Sequence, residues 1–194
     1  MNNNIKEINE SFFPLIEKID TLLKNGKAII GIDGGSGSGK TTIASLLCEI
    51  YDATVFHMDD FFLTPSMRTP ERLSEVGGNV DKERFESEVL IPLRAGQIVN
   101  YRKFDCKTIV LSTPVSVKPK NLVIIEGSYS LHPDLIKYYD LSVFLDIDTE
   151  KQRERIKNRN GEGAKAFFEK WIPLENTYFE KTQIKDRCDM IIKA

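Results

Sequence analysis

The apolar residues of this chain fall into two rhythms, short runs of consecutive β-branched positions and stripes at helical spacing. Ile5, Ile8, Phe12, Leu15, Ile16, Ile19, Leu22 and Leu23 form a stripe, which predicts an N-terminal packing helix bent or restarted at Pro14 and stopped by Asn25-Gly26. Lys27 to Ile32 reads as a buried strand, Thr42 to Ile50 as a helix, and Ala53 to His57 as a short second strand. Asn121 to Gly127 and Leu141 to Ile147 are two further apolar strands, and Met190 to Ile192 is a short fifth. Strands alternating with helices predict an α/β fold: a doubly wound parallel sheet of about five strands, with helices on both faces, in one domain over residues 1–194.

Residues 60–117 interrupt this alternation and are expected to form a small insertion. Thr64 to Asn79, with Pro65, Pro70, Gly77 and Gly78, reads as an irregular loop. Asp81 precedes a helical pattern at Phe85, Val89, Leu90 and Leu93, which Pro92 and Gly96 close. Ile98 to Lys103 and Lys107 to Leu111 read as two strands of a hairpin around Phe104-Asp105-Cys106. Asp105 there is as well explained by a turn as by a pocket carboxylate. Further on, Thr149 to Arg159 is a charged helix, followed by a break at Gly161-Glu162-Gly163. The stripe Phe167, Phe168, Trp171, Leu174 and Tyr178 is expected to be core.

Composition narrows the function classes. At 194 residues and 41% hydrophobic content the chain can bury a sizeable core, and its net charge of -2 carries no basic footprint, so nucleic acid is disfavoured as a partner. No apolar run has membrane-spanning length, and Met1 to Glu7 lacks the apolar core of a signal peptide; a cytoplasmic protein with no membrane partner is expected. Three cysteines, Cys48, Cys106 and Cys188, fit reduced thiols, and two histidines disfavour a histidine-based metal site.

The first strand runs into Gly34-Gly35-Ser36-Gly37-Ser38-Gly39-Lys40-Thr41-Thr42, which fits the phosphate-binding pattern G-x-x-x-x-G-K-[ST] in its strand-to-helix setting. A Gly/Ser linker shares the composition but needs neither Lys-Thr at this offset nor a strand ahead of it. Glycines let backbone amides turn inward around a β-phosphate, Lys40 can reach the β and γ oxygens, and the Thr41 hydroxyl can ligate magnesium. Asp59 and Asp60 follow the second strand at the edge where open α/β sheets bind ligands. A carboxylate there can take the proton of an attacking hydroxyl or help hold the metal, so Asp59 is a candidate for both. Glu126 ends the third strand on the same edge and can hold magnesium through water. Arg155 and Arg159 share one helix face beside Gly161-Glu162-Gly163, and residues 155–167 are read as a lid that closes over ATP.

In this order the motifs resemble the uridine kinase family of phosphate-loop kinases, a group similar to phosphoribulokinase, pantothenate kinase and nicotinamide riboside kinase. The resemblance rests on Gly34 to Thr42, Met58 to Phe62, Asn79 to Asp81, Phe104-Asp105, Val123 to Gly127, and Arg155 with Arg159. It implies ATP and magnesium as cofactors, Asp59 as general base, Lys40, Arg155 and Arg159 on the transferring phosphate, and Asp81 on a sugar diol. Tyr101, Phe104 and Asp105 join Asp59 and Asp81 as the implied acceptor contacts. The implied reaction is phosphorylation of a primary hydroxyl of a small metabolite, uridine or cytidine first, with a homo-oligomer left open. Alternatives are another acceptor (nicotinamide riboside, pantothenate or a sugar phosphate) or a regulatory ATPase without an acceptor. The chain departs from the family pattern where Phe62 and Phe104 replace tyrosines, where no histidine follows Asp105, and where Gly-Glu-Gly replaces Arg-Gly-Arg after the lid arginines.

Overall fold

A computed structural model of the chain describes residues 10–194. Five parallel strands form the central sheet: β1 (Ala28–Gly34), β2 (Thr54–His57), β7 (Leu122–Glu126), β8 (Leu141–Asp146) and β9 (Met190–Lys193), in the order β2-β7-β1-β8-β9. Every residue of β1 and β7 is buried, as expected of a sheet covered on both faces. Alternation sorts their side chains. Ile30, Ile32 and Ile124 pack with Leu15 and Ile19 of α1 (Phe13–Lys24) and Ile43 and Leu47 of α2 (Lys40–Tyr51). Ile29, Val123 and Ile125 face the other way, toward Phe56, Phe85, Val89 and Tyr178. Each such fully buried aliphatic side chain stabilises by about 1.5–3 kcal/mol, which anchors the strand ends where the chemistry sits.

Helix α1 begins at Phe13 with Pro14 in its first turn, after a 3₁₀ turn at Glu10–Phe12. Pro14 thus starts the helix rather than bending it, since the first turn needs no amide donor there. Ile5 and Ile8 lie outside the described residues.

Between β2 and β7 the chain builds α3 (Pro70–Ser74), then α4 (Lys82–Phe85) and α5 (Ile91–Arg94) joined by a π-helical turn at Glu86–Leu90. The stretch expected to be irregular from Thr64 to Asn79 therefore contains a short helix, capped by the Thr69 hydroxyl. The expected single hairpin is instead two. β3 (Val99–Tyr101) pairs with β6 (Val115–Val117), and β4 (Phe104–Asp105) pairs with β5 (Val110–Leu111). The Asp105 carboxylate causes the inner turn by accepting from the amides of Lys107 at 2.7 Å and Thr108 at 3.4 Å.

After β8, α6 (Thr149–Asn160) is capped by Asp148 and leads through a 3₁₀ turn, Gly161–Gly163, into α7 (Ala164–Ala166). A π-helical turn at Phe167–Trp171 joins α7 to α8 (Ile172–Thr182), and a single turn, α9 (Ile184–Arg187), precedes β9. The aromatic stripe expected to be core divides: Tyr178 is fully buried, whereas Phe167 and Trp171 line a cleft. The wider π turn breaks the 3.6-residue register that would have put all of them on one face. No helix among the described residues is long and apolar enough to cross a membrane.

Candidate active site

The parallel register aligns the carboxyl ends of the strands, with Ile32 beside Glu126, His57 beside Glu126, and Gly34 beside Leu145. A cleft of about 860 Å³ opens over this edge. Ser36 to Ile43, the loop that follows Gly34 and the start of the next helix, line it. Gly34 takes φ +148°, and a Cβ there would stand 2.5 Å from the Leu145 carbonyl oxygen, so only glycine lets β1 turn this close to β8. Gly39 caps α2 in the left-handed region at φ +95° and offers no capping side chain, which leaves the first-turn amides of a twelve-residue helix free for an anion.

Lys40 is buried, and its Nζ donates to the carbonyls of Gly34 at 2.8 Å and Gly35 at 3.1 Å. The lysine is thus folded back along the loop with its charge beneath the cradle. Ser38 Oγ is buried without a hydrogen-bond partner among the described residues, and a buried polar atom of this kind suits a ligand oxygen. The donor set, unpaired helix amides, an orphan hydroxyl and a lysine, fits a polyphosphate.

Two acids flank the loop. Glu126 Oε1 accepts from the Thr41 hydroxyl at 3.2 Å and meets His57 Nδ1 at 2.5 Å. That bond holds the His57 pKa above its ordinary value, against the effect of burial. Among the described residues no group of three or more His, Cys, Asp or Glu could hold a metal. A hydroxyl and one carboxylate are the sparse protein ligation that magnesium accepts when phosphates and water complete its shell, so the residues fit that ion. Asp59 lines the same cleft as Lys40, with its residue surface exposed there and its carboxyl within electrostatic reach of the lysine. Loss of water raises its pKa, Glu126 and Glu175 push it further up, and Lys40 and His57 oppose them.

The remaining expected site residues separate into those at the cleft and those away from it. Arg155 reaches the loop, its Nη1 donating to the Gly37 carbonyl at 3.1 Å. Arg159 also lines the cleft but turns to Asn160 Oδ1 at 2.8 Å and stacks over Phe167 at 5.4 Å. Asp81, Tyr101, Phe104 and Asp105 do not line the cleft. Asp81 is buried as the cap of α4, accepting from the Arg84 amide and Nε at 3.1 Å each. Tyr101 and Phe104 are packed inside, Tyr101 stacking on Phe61 at 5.8 Å, and Asp105 is spent on its turn. Phe62, Asn79 and Tyr129 line the cleft in their place.

Several residues of the site were not picked out from the sequence. Asp33 is fully buried at the end of β1 and accepts from the amides of Gly34, Tyr129 and Leu131 and from the Tyr178 hydroxyl, at 2.7–3.2 Å. Burial outweighs these bonds and pushes its pKa up to about 6. It ties the phosphate loop to the loop after β7, where Tyr129 holds φ +75°, a conformation a tyrosine keeps only when its surroundings enforce it. A charged residue inside an apolar strand was the available signal. Ser128, Gln152 and Glu175, also at the loop, carried none.

A glycine cradle at a strand-to-helix turn, a buried lysine and a threonine–acid pair on a five-stranded parallel sheet define a phosphate-loop nucleotide-binding protein of the kinase class. Residues 29–171 match the model of the phosphoribulokinase/uridine kinase family, and the chain belongs to that family. It is 28% identical to a uridine kinase of Macrococcus caseolyticus over 84% of this chain and 86% of that one. It is 30% identical to uridine kinase-like protein 4 of Arabidopsis thaliana over 71% of this chain and 31% of that protein. The structure of a possible uridine kinase from Bacillus stearothermophilus superposes with a TM-score of 0.63 at 24% identity, covering 93% of this chain and 100% of the other, which attests the shared fold.

Proposed function

We propose that this protein is an ATP-dependent kinase that phosphorylates a primary hydroxyl of a small metabolite, with uridine or cytidine as the leading acceptor. The observation that carries this reading is that the Ser36–Thr42 cradle and Asp59 line one cleft. The cradle amides, Ser38 and Lys40 would bind the β and γ phosphates, and Arg155, anchored to the loop, would face the charge that develops on transfer. Thr41 and Glu126 would hold magnesium, which supplies neutralisation of phosphate oxygens. Asp59 would take the hydroxyl proton as the acceptor oxygen attacks, its raised pKa making it a better base than an unperturbed aspartate. Residues 155–167 would close as the lid and exclude water from the transferring group.

A second reading keeps the transfer and changes the acceptor to nicotinamide riboside, pantothenate or a sugar phosphate. It is favoured by the engagement of Asp81 with Arg84 and by the burial of Phe104, which leave Asn79, Tyr129 and Phe62 lining the cleft. A screen of hydroxyl acceptors, reading ADP release together with the mass of the product, tests both. Phosphorylated uridine or cytidine supports the first. A strong preference for another acceptor supports the second. ADP release with no phosphorylated product from any acceptor removes both and leaves a regulatory ATPase.

A further inference from the structure

Ser36 of the phosphate loop is gripped from two directions. Gln152 Nε2, on α6, donates to the Ser36 carbonyl at 2.8 Å. Glu175, on α8, accepts from the Ser36 amide at 2.9 Å and from the Ser36 hydroxyl at 2.6 Å. These two helices flank Gly161–Trp171, and each contributes a residue of its first turn, Gln152 in α6 and Glu175 in α8, to one residue of the loop. A third bond extends the network: Ser128 Oγ donates to Glu175 Oε1 at 2.7 Å, and Lys40 Nζ lies 3.5 Å from the Ser128 oxygen.

The chemistry of Glu175 is excessive for packing. It is only 4% exposed, and its three donors are one amide and two hydroxyls. A carboxylate so buried carries a desolvation cost that a glutamine or an apolar side chain of similar volume would avoid. Its charge does order the neighbours. Without it the Ser128 hydroxyl is left with the Gly34 carbonyl at 3.2 Å, the same oxygen that seats Lys40 at 2.8 Å. The Ser36 amide, part-buried at the edge of the cleft, would also lose its acceptor.

We propose that Glu175 is a positioning residue for phosphoryl transfer: with Gln152 it clamps Ser36 between the two helices that flank the lid segment, so that the loop, Ser128 and Lys40 keep one arrangement as that segment moves. The proposal rests on the kinase reading above. The full chain and its Glu175→Gln, Glu175→Ala, Gln152→Ala and Glu175→Ala/Gln152→Ala forms would be compared for melting temperature, for ATP affinity by calorimetry without acceptor, and for kcat and KM with the acceptor found in the screen.

Glu175→Ala should weaken ATP binding about tenfold and lower kcat by about tenfold or more. Glu175→Gln keeps the shape and one acceptor oxygen, and should restore ATP affinity to within about threefold of the parent while kcat stays depressed. The double variant should lose less than the product of the single losses, because both side chains act through Ser36. A merely structural residue would lower the melting temperature and leave kcat, KM and ATP affinity of the folded protein at parental values; that result overturns the proposal. If Glu175→Ala fails to fold, Glu175→Gln decides, and a parental kcat there overturns it equally. Because ATP affinity is read without acceptor, a parent that binds ATP but phosphorylates nothing removes the kinase reading, whereas unchanged affinity in folded Glu175→Ala removes the clamp.

Discussion

The Thr41 hydroxyl and the Glu126 carboxylate lie 3.2 Å apart although 85 positions separate them, and the parallel pairing of β1 with β7 is what brings them together. A pair so placed beside a phosphate cradle is suited to a hard divalent cation. Replacing Glu126 by Gln should raise the magnesium concentration for half-maximal rate and lower turnover by about a hundredfold, while ATP affinity measured in excess chelator stays at the parental value. Magnesium titrations of the two proteins check this. A superimposable titration curve would remove Glu126 from the metal site.

Asp59 is the second test. Turnover of Asp59→Asn should fall at least about a hundredfold with ATP affinity little changed, since asparagine cannot take a proton but fills the same space. The direction of the Asp59 shift adds a pH signature. Crowding by the cleft walls raises its pKa, so the acid limb of kcat/KM in the parent should fall above the ordinary aspartate range, around 3.9, as the free enzyme loses its ionised base. A pH–rate profile flat across the acidic range in the parent would contradict the assignment.

How much of this was legible beforehand depends on how far each residue reaches. The β1–loop–α2 unit and the strand ending in Glu126 announce themselves because their chemistry is local: glycines, a lysine and a threonine at fixed offsets, or an apolar run ended by an acid. Helices on both faces and the parallel sheet followed from the same periodicity. Glu175 lies 139 positions from Ser36, and Gln152 lies 116 from it, so nothing near either residue in sequence betrays its role. Asp105 shows the opposite case: a local turn, readable from its neighbours, competes with a pocket role, and the turn takes the carboxylate. The separation of Phe167 and Trp171 from the core was hidden because a π-helical turn shifts the face by a fraction of a turn that an ideal period does not contain.

The two arginines of α6 should prove unequal. Arg155 is bonded to the Gly37 carbonyl, whereas Arg159 is held by Asn160 and Phe167. Arg155→Ala should lower kcat by about a hundredfold or more, as loss of a preorganised cation near the transferring phosphate does, with Arg159→Ala costing less. Steady-state kinetics of the two variants at saturating ATP measure the difference. Equal losses would mean that Arg159 leaves its contacts and joins Arg155 over the phosphate.

The last prediction concerns stability rather than rate. Asp33 has a folded pKa of about 6 because it is fully buried, against about 3.9 for an exposed aspartate in the unfolded chain. The folded state therefore binds the proton more tightly than the unfolded state between these values. Stability from this group is fully present below about pH 4 and declines as pH rises through about 6, by about 3 kcal/mol in all. The ionised carboxylate keeps four hydrogen bonds above pH 6, which is why the strand end tolerates it. Asp33→Asn cannot titrate, and its amide nitrogen would face donors that the carboxylate accepts. It should be less stable than the parent at pH 4 and should lack the parental decline between pH 4 and 6. Urea unfolding at half-unit pH steps, plotted as parent minus variant, isolates the term from the other carboxylates. A difference that stays level over that interval would show that Asp33 is ionised throughout and that its four donors outweigh burial.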